Sequence, residues 1–454
     1  MKAAKPGPKI RRGGWLKSIL AAWLCIHPAV RAADGPWTNA SAKKMTASGL
    51  AYIFQGDDSS ALTVIEIFVK GGKGAVPPGK NGLAYLTSRL TLEIPDSGKV
   101  QDLMKQSSRL FVSAREDYCL ISLQCLSENL PAVLKLSSEI ILNPLFSGLR
   151  IDRIKDYMSH EARIEDDDAV TAGHKAAMKA LWGDAGYGGS NYGDQKALKS
   201  IGKKDITDLY RRMFSKKTAV FSIVSDMEEK AVVSELEKYF AGLSPGREEN
   251  PVASGELRLP DDRNIRVVKD QKQCYVSRAC PLPPLTGRRY ALGFILETLL
   301  GKGIGSRLWE LRFKEKLAYS VNARASQMAR GGIFEAYLET DRRKRGAAEI
   351  MLLDVMNDLL AKGLTEEELQ VAKVMSKTQF LRANETKVSR ARSLGAFEIT
   401  GLGSEFLSGF FNEIDAVSLD EVNGYIRDVL DPGKALWIVV GPEDRASESG
   451  AGRH

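Results

Sequence analysis

The feature that most constrains the fold of this chain is an internal repeat with a period of about 215 residues. Apolar residues at helical spacing surround Tyr210, and the same pattern surrounds Tyr425, where 425 − 210 = 215. Each pattern precedes a short apolar run, Thr218–Asp226 in one case and Ala435–Gly441 in the other. Helical spacing followed by a short apolar run predicts an amphipathic helix and then a buried strand. The chain therefore contains two related halves.

The repeat extends towards the N-terminus of each half. A helix is predicted from Ser127 as its N-cap, with Pro131 near its first turn, and Ala347–Leu360 is its counterpart. A long charged helix follows each of them, Ile151–Glu165 in the first half and Glu366–Arg382 in the second. The predicted strands are Leu62–Val69 and Arg109–Cys125 in the first half, and Ile265–Arg278 and Val321–Glu339 in the second.

The same order of elements therefore occurs twice: strand, helix, strand hairpin, helix, long helix, helix, strand. This predicts an α+β fold of two homologous domains, each a mostly antiparallel sheet covered by helices, facing each other across a cleft. We place the domains at residues 45–242 and 259–445. Residues 243–258 between them are rich in Pro, Gly and charged residues, which is typical of a linker.

The positive charge of the chain lies mainly in its first 32 residues. The net charge is +8, from 65 basic and 57 acidic residues, and residues 1–32 hold seven basic residues and no acidic one. The remainder has 65 − 7 = 58 basic and 57 acidic residues, a net charge of +1. Composition therefore gives no support to nucleic-acid binding.

Residues 1–32 have the organisation of a signal peptide. Basic residues precede the apolar run Ser18–Val30, and Val30 and Ala32 are small residues at the −3 and −1 positions of a cleavage site. The run is shorter than the ~20 residues needed to span a bilayer. We expect an exported, periplasmic protein with no integral membrane segment after cleavage.

Four cysteines follow the leader: Cys119, Cys125, Cys274 and Cys280. Each pair is six residues apart, so on a strand both members point to the same face, about 20 Å apart. Neither pair has zinc-finger spacing. Buried thiols are the preferred interpretation, and a disulfide between strands is the alternative in an oxidising compartment.

One segment of the second half resembles a known family. Residues 301–321 read Gly-Lys-Gly-Ile-Gly-Ser-Arg-Leu-Trp-Glu-Leu-Arg-Phe-Lys-Glu-Lys-Leu-Ala-Tyr-Ser-Val. A Gly-rich turn, Ser-Arg-Leu and a Leu-Ala-Tyr-Ser run in this order resemble the pitrilysin/insulinase family of zinc peptidases, with inverted His-x-x-Glu-His motifs. The resemblance covers about residues 45–445, and it implies the same two-domain fold.

The resemblance assigns a catalytic role to Arg312 and Tyr319. In the family, an Arg and a Tyr at this spacing reach into the active cleft and donate hydrogen bonds to the substrate carbonyl and the developing oxyanion. Taken without the resemblance, Arg312 is equally compatible with an ion pair on a helix surface, and Tyr319 with a ring in the core.

The first half departs from the family at its zinc motif. The segment Gly82–Leu90 stands where active members carry His-x-x-Glu-His, with Tyr85 and Arg89 in place of the histidines and Ser88 in place of the general-base Glu. Arginine has no lone pair for a metal, and serine does not accept a proton near neutral pH as a carboxylate does. We therefore expect no metal and no cofactor in this chain.

The remaining histidines and carboxylates do not rebuild such a site in the sequence. His160 and His174 are fourteen residues apart, 174 − 160 = 14, and are interpreted as exposed helical residues. The third zinc ligand of the family, a Glu on the long helix, corresponds to Glu161 or Glu165, and the register leaves both open.

The combination predicts a zinc-less subunit of a two-subunit metallopeptidase. Such a subunit would supply Arg312 and Tyr319 to a homologous partner that holds the zinc, and together they would act on a peptide substrate. Two alternatives remain: a purely structural or assembly member without a peptidase role, and a self-sufficient zinc peptidase. The sequence does not identify the partner or the substrate, or decide whether homodimers form.

Overall fold

The computed structural model describes residue 37 and residues 42–94, 97–106, 108–246, 255–313 and 316–443. The predicted leader lies outside these residues, so its cleavage and export stay predictions. None of the described helices is both long enough and apolar enough to cross a membrane.

The two halves supply alternating strands and helices. The strands are β1 (Lys44–Met45), β2 (Ala51–Gly56), β3 (Leu62–Lys70), β4 (Arg109–Ala114), β5 (Tyr118–Leu126), β6 (Ala219–Ser225), β7 (Asn264–Val268), β8 (Gln273–Leu282), β9 (Ser320–Met328), β10 (Gly331–Asp341) and β11 (Leu436–Gly441). The helices of the first half are α1 (Leu83–Thr91), α2 (Ser97–Lys105), α3 (Leu130–Leu142), α4 (Gly148–Asp167), α5 (Ala169–Trp182), α6 (Gln195–Ser200), α7 (Lys203–Met213) and α8 (Glu229–Phe240). Those of the second half are α9 (Gly287–Gly301), α10 (Trp309–Phe313), α11 (Arg345–Lys362), α12 (Glu366–Ala383), α13 (Lys387–Thr400), α14 (Phe406–Asp415) and α15 (Leu419–Val429).

The two sheets repeat one topology. The first has the order β1-β2-β6-β3-β5-β4 and the second β7-β11-β8-β10-β9. Apart from β1, each strand of the first sheet has a counterpart in the second. In each sheet one pair is parallel, β2 with β6 and β7 with β11, and the other pairs are antiparallel. The predicted fold of two homologous, mostly antiparallel α+β halves is confirmed.

Local capping explains where several helices begin. The side chains of Thr365 and Ser418 accept the backbone N–H groups of Glu368 and Glu421, whose carboxylates bond back to the cap residues. The predicted N-cap, Ser127, is two residues too early, because the N-cap of the α-helix is Asn129. Residues 127–129 form one 3₁₀ turn, and the α-helix begins at Leu130.

Each half contributes one helix to the sheet of the other half. Helix α5 packs on β8 and β11 of the second sheet, and α13 packs on β3 and β6 of the first. His174 of α5 and Arg392 of α13 occupy equivalent positions, since 392 − 174 = 218 and the helices begin 387 − 169 = 218 residues apart. His174 bonds Glu335 on β10, and Arg392 pairs with Glu66 on β3 at 3.3 Å. This exchange joins the halves into one body.

Polar contacts fix the start of α13 against the first half. The Lys387 ammonium donates to the carbonyls of Ser60 at 2.6 Å and Leu62 at 3.0 Å, and Arg390 pairs with Asp57. Lys387 and Arg390 are buried, so their removal would take a charged donor away from these carbonyl and carboxylate groups.

We expect Gly395→Ala to destabilise the protein by about 1–3 kcal/mol, because it overpacks the contact between α13 and the first sheet. An added Cβ at Gly395 would lie 2.1 Å from a ring carbon of Phe68, which is fully buried and cannot move aside. Gly409→Ala in α14 is the matched control, since its Cβ would meet nothing within 4 Å. The control should gain roughly 0.5–1 kcal/mol from helix propensity. Urea unfolding measures both, and equal effects of the two substitutions would contradict the tight packing of α13.

Candidate functional site

Helix α1 carries the three residues at the zinc-motif positions. Gly82, with φ of 92°, turns the chain into the helix, and the apolar face of Leu83, Leu86 and Leu90 is buried against the first sheet. The ring of Tyr85 packs edge-on against Tyr192 at a centroid distance of 4.9 Å. Burial raises the pKa of the Tyr85 phenol far above its ordinary value, and the nearby Tyr157 raises it further. Tyr85 is therefore protonated at neutral pH.

The other two positions are also occupied by groups that do not fit zinc. Ser88 is fully buried. Arg89 pairs with Glu93 at 2.8 Å, and Glu93 also pairs with Arg153 of α4. A protonated phenol, a buried hydroxyl and an ion-paired guanidinium offer no set of N, S or carboxylate donors for a tetrahedral metal ion. Two of these positions are linked to α4, Tyr85 through its neighbour Tyr157 and Arg89 through Glu93 and Arg153.

Both candidates for the third ligand lie near this cluster. Burial raises the pKa of Tyr192 to about 12, with Glu165, Tyr157 and Glu161 as further causes in that order. Glu165 also lies 3.5 Å from the ammonium of Lys175. Within the described part of the chain, no group of three or more His, Cys, Asp or Glu side chains is placed to hold a metal ion.

The histidines differ from each other in environment. His160 is exposed on α4, as predicted. The prediction of an exposed His174 is wrong, because its Nδ1 lies 2.7 Å from a carboxylate oxygen of the fully buried Glu335. Helical spacing alone could not reveal this contact, because α5 packs on the sheet of the other half.

The cysteines are buried free thiols. Cys119 and Cys125 lie on β5, and Cys274 and Cys280 lie on β8. Burial raises the pKa of Cys119 to about 12 and that of Cys280 to about 11. These thiols are protonated at neutral pH and are poor nucleophiles.

Arg312 and Tyr319 lie on the surface of the second half. The guanidinium carbon of Arg312, on the short helix α10, is 5.2 Å from the centroid of the Trp309 ring. Tyr319 is 57% exposed, and its backbone N–H donates to the Glu339 carbonyl at 2.8 Å, immediately before β9. Neither alternative from the sequence holds, since Tyr319 is not in the core and no described carboxylate pairs with Arg312.

Close packing explains why the first residue of the Gly-rich segment before α10, Gly301, is a glycine. A Cβ on Gly301 would lie 1.9 Å from the backbone nitrogen of Ala323, so the end of α9 contacts the backbone of β9 directly. Arg307 then fixes the turn to α12 through Glu368 at 2.9 Å. These contacts hold α10, and with it Arg312, beside the first residues of β9.

The structure does not bring Arg312 and Tyr319 together with the α1 positions. The halves meet where the β4–β5 turn contacts the β9–β10 turn, with the Ala329 N–H donating to Asp117 at 2.9 Å. The Cys119 thiol, two residues from Asp117, approaches the Ala84 carbonyl at 3.9 Å, so α1 is near this contact. Tyr319 lies nine residues before Met328 on β9, or about 30 Å along the strand. Within one chain, the two sets of residues are far apart.

A cavity lies between the halves at this meeting point. Its volume is about 610 Å³, and it is lined by both edge strands, β4 and β9, together with α13. The Arg392 guanidinium lies over the ring of Phe111 in its wall, at 5.1 Å from the ring centroid. Arg392 also reaches the buried Glu66, whose pKa burial raises to about 7.

Comparisons with known proteins agree with the geometry. Residues 200–375 match the family model described as "Peptidase M16 inactive domain". An uncharacterized zinc protease of Mycobacterium tuberculosis is 25% identical over 325 residues, covering 70% of this chain and 73% of that protein. A protein of Helicobacter pylori named non-peptidase homolog YmxG is 22% identical over 383 residues, covering 83% of this chain and 88% of the homolog.

One further sequence relative and one solved structure are similar to this chain over most of its length. The beta subunit of mitochondrial-processing peptidase from Saccharomyces cerevisiae is 19% identical over 398 residues, covering 83% of this chain and 85% of that subunit. The crystal structure of a peptidase M16 inactive domain from Pseudomonas fluorescens aligns with a TM-score of 0.79 at 20% identity, covering 89% of this chain and 98% of that one. At this identity the structural likeness establishes the fold alone.

Proposed function

Because this chain belongs to peptidase family M16, the pitrilysin/insulinase family, we propose that it is the zinc-less subunit of a two-subunit metallopeptidase. It supplies Arg312 and Tyr319 to the active site of a homologous partner that holds the zinc. The substrate is an extended peptide, and a zinc ion held by the partner would supply the activated water. Export to the periplasm, expected from the leader, is part of the same proposal.

The main observation that supports the proposal is the exposure of the Arg312 and Tyr319 side chains. A catalytic donor must reach the reacting carbonyl, and both side chains are exposed with no described carboxylate partner. About 30 Å of β9 separates Tyr319 from the contact near α1, so Tyr319 is not beside the α1 positions of its own first half. A site in a second subunit therefore suits them better than one in the same chain.

The chemistry of α1 supports a division of labour between two subunits. Tyr85, Ser88 and Arg89 do not form a metal-binding set, so these positions of α1 offer no site for a zinc ion that would activate water. Tyr319 and Arg312 retain donors suited to an oxyanion. The relatives include a protein named as a non-peptidase homolog and others named as subunits of mitochondrial-processing peptidase.

A purely structural role is the second candidate, and the same exposure argues against it. A structural member needs neither side chain, and a tyrosine that serves only packing is usually buried rather than 57% exposed.

Mixing the mature chain with its zinc-bearing partner tests the proposal. We expect the mixture to cleave unstructured peptides while neither protein does so alone. Elemental analysis should find stoichiometric zinc in the partner and none in this chain. Chelator-sensitive cleavage by this chain alone, with one tightly held zinc ion, would support the self-sufficient peptidase instead. A stable complex without activity would support the structural role.

A further inference from the structure

Four exposed cations surround the approach to Tyr319. They form the cationic patch, defined as Arg312, Lys316, Arg343 and Lys344. The patch stands out because the chain without its leader has a net charge of only +1, from 58 basic and 57 acidic residues. A local excess of positive charge on a nearly neutral protein indicates a partner that carries negative charge.

A strained turn holds the patch together. Lys316 has a φ of 51°, and among the described residues it is the one non-glycine residue with a positive φ. The Lys344 ammonium donates to the Lys316 carbonyl at 2.8 Å, and the Thr340 hydroxyl donates to the carbonyl of Leu317. A left-handed conformation at a non-glycine residue costs of order 1–3 kcal/mol and persists only where surrounding contacts hold it. These contacts bring the end of β10 against the segment that leads into Tyr319.

Three described carboxylates near the patch already have partners. Glu339 accepts a hydrogen bond from the Ser320 hydroxyl at 2.5 Å, and Asp341 accepts the backbone N–H of Arg343 at 2.8 Å. Glu349 pairs with Arg345 at 3.1 Å. Within the described residues, no carboxylate forms an ion pair with any side chain of the cationic patch. None of the four charges is therefore neutralised by a described ion pair, although the Lys344 ammonium also donates to the Lys316 carbonyl.

The chain itself sets an upper limit on the distance between Arg343 and Tyr319. Glu339 bonds the backbone of Tyr319, and Arg343 follows Glu339 by four residues, 343 − 339 = 4, at most about 13 Å away. An extended peptide advances about 3.3 Å per residue. A substrate with its reacting carbonyl at Tyr319 would therefore place a side chain three or four residues away against Arg343.

We propose that the cationic patch selects peptides with an acidic side chain about three or four residues from the cleaved bond. This inference rests on the proposed function, because it takes Tyr319 as the position of the reacting carbonyl. Arg343 acts as a specificity residue, and it does not touch the reacting atoms.

The test uses two peptides that differ only by Glu or Gln at these positions, cleaved by the assembled pair of subunits. We expect kcat/KM to favour the Glu peptide by about two- to fivefold, the contribution of one exposed ion pair. Arg343→Gln should reduce this preference by about two- to fivefold, and Arg343→Glu should reduce it further, while cleavage of the Gln peptide stays unchanged. Arg211→Gln and Arg211→Glu, at an exposed arginine on α7, are the matched controls.

Salt provides an independent measurement. Raising the ionic strength from about 0.01 M to 0.15 M shortens the Debye length from about 30 Å to 8 Å, so the preference should decrease. Equal kcat/KM for both peptides, with activity present, would overturn the inference and leave the proposed function standing. No cleavage of any peptide by the assembled pair would overturn the proposed function and the inference together. A duplex DNA that competes with the Glu peptide and loses binding in the Arg343 variants would overturn the peptide assignment in favour of nucleic acid.

Discussion

Arg312→Ala is expected to lower kcat of the assembled two-subunit peptidase by about a hundredfold or more. Loss of one well-placed oxyanion donor typically removes about 2.7–4 kcal/mol of transition-state stabilisation. Tyr319→Phe, which removes only the hydroxyl, should have an effect of the same order. Because these donors act on the reacting carbonyl, kcat should change more than KM.

The geometry separates this effect from a loss of structure. Both side chains are exposed, so neither substitution should change the unfolding free energy by more than about 0.5 kcal/mol. Size-exclusion chromatography should show unchanged assembly, and elemental analysis unchanged zinc in the partner. Arg427→Ala on α15 and Tyr239→Phe on α8 are the controls, and both should leave kcat at the wild-type value.

The double variant tests whether the two donors act as a unit. If Arg312 and Tyr319 bind the same oxyanion, Arg312→Ala with Tyr319→Phe should be little worse than the more damaging single variant. Assembly and wild-type cleavage by both single variants would exclude the catalytic role, and the structural role would then replace it.

Glu335→Ala is expected to destabilise the protein by about 3–5 kcal/mol, the usual cost of removing one partner of a buried ion pair. The Glu335 carboxylate is fully buried and accepts from His174 at 2.7 Å and from Arg324 at 2.6 Å. Its removal leaves two polar side chains without their acceptor, one of them on the helix exchanged from the first half. Glu335→Gln preserves the shape and should cost less.

The effect should depend on pH in a defined direction. Burial by itself raises the pKa of Glu335, but His174 and Arg324 together hold it below its ordinary value of 4.5. The pKa of Glu335 is lower in the folded state than in the unfolded state. The carboxylate therefore stabilises the fold fully at a pH above its unfolded-state pKa, and this stabilisation is lost as the pH falls through its folded-state pKa. The difference in unfolding free energy between the wild type and Glu335→Gln should therefore decrease below about pH 4.5.

Urea unfolding at several pH values measures this difference. Glu367→Gln, at an exposed position in the first turn of α12, is the control and should change stability by no more than about 0.5 kcal/mol at any pH. A Glu335→Ala variant as stable as the wild type would show that the contact between α5 and the second sheet does not depend on this carboxylate.

Much of the fold could be predicted from the spacing of residues along the chain. The helix around Tyr210 and its repeat around Tyr425 depend on apolar residues at i, i+3 and i+4, which local sequence reports directly. The strand hairpins β4–β5 and β9–β10 were also predicted from local sequence. The boundaries were less certain, as at Ser127, because a 3₁₀ turn and the first turn of an α-helix have similar sequence preferences.

The candidate site was predicted only in part. Residue identity alone decides that Tyr85 and Arg89 are not zinc ligands, since ligand chemistry does not depend on the fold. The exposure of Tyr319 could not be decided in this way, because an aromatic residue at the start of a strand is compatible with either face of a sheet. The cationic patch was missed because Lys316 and Lys344 are distant in sequence and are brought together only in the folded chain, where the Lys344 ammonium donates to the Lys316 carbonyl.

The sequence by itself determined the two related halves, the elements within each, and the residue types at the α1 and Arg/Tyr positions, because each depends on local periodicity or on side-chain chemistry. Only the tertiary structure decided that α5 and α13 exchange sheets, that His174 bonds Glu335, and that Tyr319 lies about 30 Å along β9 from the contact between the halves. The physical reason is that an amphipathic helix specifies which of its faces is buried but not which sheet buries it. That choice depends on contacts between residues far apart in the chain, such as Gly395 with Phe68.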